Sequence, residues 1–324
     1  KLLMKIGIVQ EIHPKGYDVL KRNNLDYFVI NNTEESHLIE KLSDVDGIIV
    51  RTADINKKIL SKAKNLKILS RHGVGYDNVD AEFLNTNKIA LAITGSANAT
   101  SVAEHVMTMM LCLTKNIFES DKLVKSNKFQ DKGILPNFFE LYKKNILILG
   151  FGRIGKALAK RCMGFEMSIY VHDPFVSKED IAEQNCIPID KEEGFKIADY
   201  ISIHLPLNSH TKDLISFDQF DIFKSNVILI NTARGGIINE DALYEALINK
   251  KIFGAGIDVF EKEPPIENHK LFTLNNTLLT PHNAALTLEC RKRMSVESCE
   301  NVVNFLTESK SLNEGNIINL NIIN

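Results

Sequence analysis

Residues 146–173 constrain the fold more than any other stretch of this chain. They run I-L-I-L-G-F-G-R-I-G, then a helix-like segment, then S-I-Y-V-H-D. The apolar run Ile146 to Leu149 enters Gly150-x-Gly152-x-x-Gly155. A second apolar run, Ile169 to Val171, leads to Asp173, 18 residues after the last glycine. That order predicts a strand, a glycine turn, a helix and a second strand carrying an acid. Gly150 permits a tight turn, Gly152 lets backbone approach a pyrophosphate, and Gly155 lets the helix pack close to the strand. The helix N-terminus offers free N–H groups and a positive dipole end to phosphates. Asp173 can accept hydrogen bonds from both ribose hydroxyls, which favours NAD over NADP. Glycines also mark ordinary turns; the flanking strands, helix and acid are what make dinucleotide binding the reading of this segment.

At 324 residues the chain is long for one core, so two domains are expected. The net charge is −2 and no basic block stands out, which argues against nucleic acid and anionic membranes as partners. Cys112, Cys162, Cys186, Cys290 and Cys299 form no C-x-x-C pair, and their odd number fits reduced thiols in the cytoplasm. Met4 reads as the natural first residue. The start lacks the apolar core and cleavage site of a signal peptide. No apolar run approaches the ~18 residues of a membrane span.

Strand-like runs at Ile6–Val9, Tyr27–Ile30, Gly47–Val50, Lys67–Ser70 and Ile89–Thr94 alternate with amphipathic stretches near 34–44, 55–64 and 79–87. This predicts a parallel sheet covered on both faces. Residues 99–116 read as a helix whose apolar residues fill more than one stripe, so burial between domains or subunits is expected. Strand signals resume at Ile146–Leu149, Ser168–Val171, Tyr200–Ile203, Val227–Asn231, Gly254–Val259 and Thr277–Thr280. A helix over 287–308 would return the chain to the first domain, and the tail 313–324 reads as a terminal strand or docking segment. The expected fold is α/β: a Rossmann dinucleotide-binding domain (99–287) inserted in a smaller flavodoxin-like α/β domain (1–98 and 288–324). Substrate and cofactor are expected to meet in the cleft that such an insertion makes.

Three further segments place reactive residues at strand ends. In I-L-I-N-T-A-R-G-G (228–236), Arg234 can clamp a carboxylate bidentately, although a loop arginine is as often a surface residue. In G-A-G-I-D-V-F-E-K-E-P-P (254–265), Asp258 ends a strand and Glu263 precedes Pro264, which holds its backbone extended. Acids in such a loop are usually just solvated. In L-L-T-P-H-N-A-A-L-T (278–287), His282 follows a strand and a proline. A lone histidine is more often structural, but a dehydrogenase needs one group to accept a hydroxyl proton, and histidine suits this near neutral pH.

Taken together, the phrases G-F-G-R-I-G, N-T-A-R-G-G-I-I-N-E-D-A-L, G-I-D-V-F-E-K-E-P and T-P-H follow in the order and spacing of one family. Over almost its whole length the chain resembles the D-isomer-specific 2-hydroxyacid dehydrogenases. The resemblance implies that His282 is the acid–base group, with Glu263 as its hydrogen-bonded partner. Arg234 would polarise the substrate carbonyl and hold its carboxylate. Asp258 would bond the nicotinamide carboxamide of NAD, and Asp173 the adenosine ribose. Arg153 and Ile154 would meet the pyrophosphate beside Gly150, Gly152 and Gly155, while Leu205, Thr232 and Thr94 would line the cofactor crevice. S-R-H-G-V-G-Y-D-N-V-D (70–80) is also family-like, and amides around Val74 and Gly75 would bind the substrate carboxylate. In S-V-A-E-H (101–105), Glu104 and His105 are expected to be structural or hinge residues. After T-P-H the chain departs from the common pattern of an apolar residue and glycine. Asn283 there would contact nicotinamide or substrate, or cap a helix.

The implied partner is a small 2-hydroxy or 2-keto acid, and a homodimer is expected. Arg51 and Arg71 resemble basic positions of the phosphoglycerate dehydrogenase branch and would hold a phosphate, which would place the chain in serine biosynthesis. The alternative for Arg51 is a pair with a local acid. Since the chain ends near residue 324, a C-terminal regulatory domain is not expected. Glyoxylate and hydroxypyruvate stay open as substrates. A non-enzymatic NAD(H)-sensing corepressor-like protein is the rival from another class, and turnover separates the two. A formate dehydrogenase is disfavoured, because Glu263 stands where that branch is expected to carry glutamine.

Overall fold

A computed structural model describes residues 4–309 and 313–323; the residues before Met4 and Asn324 of the tail lie outside them. The chain forms two compact units, Lys1–Asn98 with Leu286–Asn324, and Ala99–Ala285.

The first unit is a five-stranded, wholly parallel sheet of β1 (Lys5–Val9), β2 (Asp26–Ile30), β3 (Gly47–Val50), β4 (Ile68–Arg71) and β5 (Ala90–Ile93), in the order β2-β1-β3-β4-β5. That is the flavodoxin-like order. Its strands are near-continuous apolar runs because both faces are covered. Alternate side chains serve opposite faces: Ile48 and Val50 pack under the short helices Glu35–Lys41 and Lys57–Leu60. Ile49 joins Ile6 and Ile8 against Cys299, Val302 and Val303 of the returning helix Leu288–Leu306. Each such burial stabilises by about 1.5–3 kcal/mol. The helix Pro14–Arg22 also lies on that face. It buries Gly16, Val19 and Leu20, an i, i+3, i+4 stripe that leaves Lys15, Asp18, Lys21 and Arg22 outside it. The tail is a docking segment with little strand: Ile317 makes one antiparallel bridge to Ala92, and Leu320–Ile323 is a helical turn. Asn319 fastens it, accepting from Leu91 N and donating to Ile89 O, which continues the edge of β5 with a side chain.

The second unit is a seven-stranded parallel sheet of β6 (Asn145–Leu149), β7 (Ser168–His172), β8 (Ile187–Pro188), β9 (Tyr200–Ile203), β10 (Ile228–Asn231), β11 (Gly254–Ile257) and β12 (Thr277–Leu279). Its order is β12-β11-β10-β9-β6-β7-β8, a Rossmann sheet whose order reverses at β6 and β9. The helix Ala99–Thr114 is buried as its composition requires, but against its own unit. Val106, Met109 and Met110 pack on Ile146, Ile148 and Ile230, and Met107 on Cys162 of the helix Arg153–Gly164. Its burial therefore needs neither a second domain nor a second subunit, correcting that expectation. The apolar surface lies further on: Ile117, Phe118, Val124, Phe129, Ile134 and Phe138 are all exposed, and the helix Ile117–Lys125 buries none of its residues.

No helix among the described residues is long and apolar enough to cross a membrane. All five cysteines are free thiols. Burial pushes the Cys162 and Cys299 thiols up to about 12, so neither forms a reactive thiolate near neutral pH.

Candidate active site

In the second unit the glycine turn lies at the C-terminal end of β6, where the strand order reverses. Gly150 has a φ of +93°, and a Cβ on Gly155 would lie 2.3 Å from the Gly150 carbonyl oxygen, so turn and helix pack in contact. At Gly152, the N-cap of the helix Arg153–Gly164, an added Cβ would meet nothing within 4 Å. That open space lies before the unbonded N–H groups of the first turn, which Arg153, Ile154 and Gly155 supply. Asp173 follows β7. Its Oδ2 accepts from Phe151 N at 2.7 Å and its Oδ1 from Phe175 N at 2.8 Å. The acid thus also ties the second strand to the glycine turn, and each oxygen keeps a lone pair for a ribose hydroxyl. Leu205 packs on the core next to Gly150. Thr232 is buried, and its hydroxyl oxygen has no hydrogen-bond partner among the described residues. An orphaned buried hydroxyl, an open turn over free amides and an acid at the second strand end fit a bound dinucleotide.

Beyond β10, β11 and β12, three adjacent strands, the chain presents Arg234, Glu263 and His282. The Arg234 loop is shaped by Asn231, whose buried side chain donates to Arg234 O at 2.9 Å and accepts from Ala233 N at 3.0 Å. Arg234 Nη1 donates to Ala233 O. A Cβ on Gly235 would lie 1.9 Å from Phe260 O, so only glycine lets this loop lie against the loop after β11. There Glu263 Oε1 accepts from Phe260 N at 3.1 Å, and Glu263 Oε2 lies 2.7 Å from His282 Nδ1. A carboxylate only accepts, so Nδ1 carries the proton of this bond and Nε2 is left to exchange one. The histidine side chain is 50% exposed and the glutamate 39%.

Asp258 is the most buried acid of the site. Its Oδ1 accepts from Thr280 Oγ1 at 2.6 Å and Asn283 N at 2.9 Å, and its Oδ2 from Ala284 N at 3.2 Å. His282 N donates to Asp258 O at 2.8 Å. The carboxylate thus clamps the turn that holds His282 at a φ of +49°. This is a structural duty beyond the nicotinamide contact that the resemblance implies. His105 Nε2 lies 3.1 Å from Thr280 Oγ1 and supports the same turn, while Glu104 pairs with Arg161 at 2.9 Å. Asn283 caps no helix: Thr287 caps Leu288–Leu306, and Asn283 Oδ1 is buried without a partner among the described residues.

In the first unit, Arg51 and Arg71 stand at the C-terminal ends of β3 and β4, where Val50 pairs with Arg71. Arg51 Nη1 donates to Glu11 O at 2.9 Å, a backbone carbonyl rather than the local acid weighed above. Arg71 folds back over Gly73, donating to His72 O. Gly73, at a φ of +149°, makes this turn; the sequence drew attention to Val74 and Gly75 instead. Among the described residues, no group accepts from the Val74 or Gly75 amides. His72 is buried, 2.9 Å from Ser295 Oγ. Burial first, then the charges of Arg51, Arg71 and Arg291, push it down to about 3, so it is neutral near pH 7. Thr94, the remaining cofactor candidate, is buried at the end of β5 with its hydroxyl oxygen also unpartnered among the described residues.

Residues 107–284 match the model for the D-isomer specific 2-hydroxyacid dehydrogenase, NAD binding domain. The chain belongs to that family. It is 35% identical to a D-3-phosphoglycerate dehydrogenase of Archaeoglobus fulgidus, over 98% of this chain but 59% of that protein. It is 37% identical to a hydroxypyruvate reductase of Thermotoga maritima, over 83% of this chain and 87% of the relative. Among solved structures, a D-lactate dehydrogenase from Aquifex aeolicus complexed with NAD and lactic acid superposes with a TM-score of 0.84. The two are 29% identical, and the match covers 97% of this chain and 98% of that one. The chain thus spans about three fifths of the Archaeoglobus relative, 87% of the Thermotoga relative and 98% of the Aquifex chain. Its second unit is the NAD-binding domain of the family.

Proposed function

We propose that this member of the family interconverts a D-2-hydroxy acid and its 2-keto acid with NAD. The observation that carries the proposal is the 2.7 Å contact between His282 Nδ1 and Glu263, beside the Arg234 loop at three adjacent strand ends of the NAD-binding unit. NAD, when bound, supplies the hydride acceptor or donor. Gly150, Gly152, Arg153, Ile154 and Gly155 would hold its pyrophosphate and Asp173 its ribose, with Leu205, Thr232 and Asp258 around the rest. In oxidation, neutral His282 takes the hydroxyl proton at Nε2; in reduction the imidazolium returns it. Glu263 orients the ring and stabilises its charged form. Arg234 clamps the substrate carboxylate and polarises the carbonyl. The first unit would act as the substrate domain, its Val74 and Gly75 amides donating to a carboxylate.

The adjacent strand ends carrying Arg51 and Arg71 favour a phosphorylated acid, the 3-phosphoglycerate of serine biosynthesis. The relative named hydroxypyruvate reductase supports a second reading with unphosphorylated acids. NADH oxidation with 3-phosphohydroxypyruvate, hydroxypyruvate, glyoxylate, pyruvate and 2-ketoglutarate decides. Turnover of the phosphorylated acid alone supports the first reading, and preference for the others supports the second. NADH binding without any turnover moves the chain to the sensor class. The exposed apolar residues between Ile117 and Phe138 support a homodimer, which sizing chromatography tests. Five free thiols fit the reducing cytoplasm.

A further inference from the structure

A second histidine–glutamate pair stands behind the first in the NAD-binding unit. His269 Nε2 lies 2.9 Å from Glu240 Oε2, with side chains only 9% and 16% exposed. His269 Nδ1 accepts from Leu271 N at 3.3 Å, so its proton sits on Nε2 and is donated to Glu240. The other Glu240 oxygen accepts from Glu261 N at 2.8 Å, and Glu261 returns the bond by accepting from Glu240 N at 3.0 Å. The Phe260 ring meets the His269 ring edge to face at 5.8 Å.

These contacts converge on one peptide bond, Phe260–Glu261. Glu240 holds its N–H. Gly235, next to Arg234, lies against its carbonyl. The preceding amide, Phe260 N, donates to Glu263, whose other oxygen meets His282. Moving this peptide moves the carboxylate on His282 and the backbone beside Arg234 together. We infer that Glu240, oriented by His269, is a positioning residue that sets the Glu263–His282 pair through the Phe260–Glu261 peptide. It touches neither substrate nor cofactor. The inference rests on His282 being the acid–base group.

The test uses the full chain with Glu240→Ala and Glu240→Gln. The His282 Nδ1 proton that bridges to Glu263 is followed by NMR at one fixed pH, with the signal assigned by its loss in His282→Gln. Glu240→Ala is expected to lower kcat roughly 10- to 100-fold. It should also shift that proton signal upfield, or broaden it by exchange with water, as the carboxylate slips from the ring. NADH affinity should stay within about twofold, since no cofactor contact is lost. Glu240→Gln puts an NH2 donor where one of the two accepting oxygens stood, facing either Glu261 N or His269 Nε2, and should fall between. An unmoved proton signal, or a loss of kcat that follows only the folded fraction, overturns the inference. If Glu240→Ala does not fold, Glu240→Gln and His269→Gln decide by the same proton signal. A wild type inactive on every 2-keto acid sinks the proposed function, and this inference with it; an active wild type whose proton signal is left in place by Glu240→Ala sinks this inference alone.

Discussion

In the five-stranded sheet the strand ends after β3 and β4 carry Arg51 and Arg71. In the seven-stranded sheet the ends after β6, β10, β11 and β12 lead to a glycine turn, Arg234, Glu263 and His282. Both sheets are parallel, both are covered on two faces, and both gather polar residues at the carboxyl ends of their strands. Two histidines sharpen the contrast. His72 is buried, bonded to a serine, and held neutral by burial and three arginines. His282 is half exposed and bonded to a carboxylate. Each ring follows a parallel strand, β4 inside its sheet and β12 at the edge of its own, and burial and neighbours decide what each ring can do.

The largest effect that could break this contrast is on His282. His282→Gln is expected to lower kcat about 10²- to 10⁴-fold while NADH binding persists, measured by steady-state rates and fluorescence titration. An active variant would remove the proton-transfer role from the second unit altogether. Next comes Glu263→Gln. A neutral amide stabilises a positively charged ring in the transition state less well than a carboxylate, so kcat is expected to fall roughly 10- to 100-fold with KM nearly kept. Steady-state rates as fast as the wild type would mean that the carboxylate does not support the ring.

Arg51→Ala probes the cationic ends of the first sheet. If they hold a phosphate, KM for the phosphorylated keto acid rises roughly tenfold or more with kcat nearly kept, while pyruvate is unaffected. Equal changes for both substrates would deny a phosphate role. The smallest effect concerns His72. Unfolded, it takes up a proton near pH 6.5; folded, it does so only at about 3. Stability from this group is therefore complete above pH 6.5 and is lost as pH falls toward 3, by at most about 1.4 kcal/mol per pH unit. His72→Asn should flatten the fall of stability between pH 6.5 and 4.5 in denaturant titrations. An unchanged slope would show that His72 is not the buried neutral group described.

Where a function rests on neighbours in the chain, the sequence shows it. Gly150, Gly152, Gly155 and Asp173 are legible because turn, helix start and second strand fall within one short unit. The parallel sheets are legible from apolar runs alternating with amphipathic ones. The helix 99–116 marks the limit: its apolar composition predicted burial, but composition does not say against what, and the partner was its own sheet. Arg234, Glu263 and His282 stood out by motif and resemblance, whereas Asn231, Thr280 and Glu240 did not. Asn231 only shapes a loop, Thr280 bonds an acid 22 residues away, and Glu240 bonds a histidine 29 residues away. Such contacts have no period and no spacing.

The sequence by itself determined the α/β class, the dinucleotide turn and the set of reactive residue types, since these follow from local backbone preferences and side-chain chemistry. Only the tertiary structure decided that Glu263 meets His282 through Nδ1, that Asp258 clamps the histidine's turn, and that His72 stays neutral. Those outcomes depend on distance, burial and hydrogen-bond direction between segments far apart in the chain, which exist only once the strands have stacked side by side.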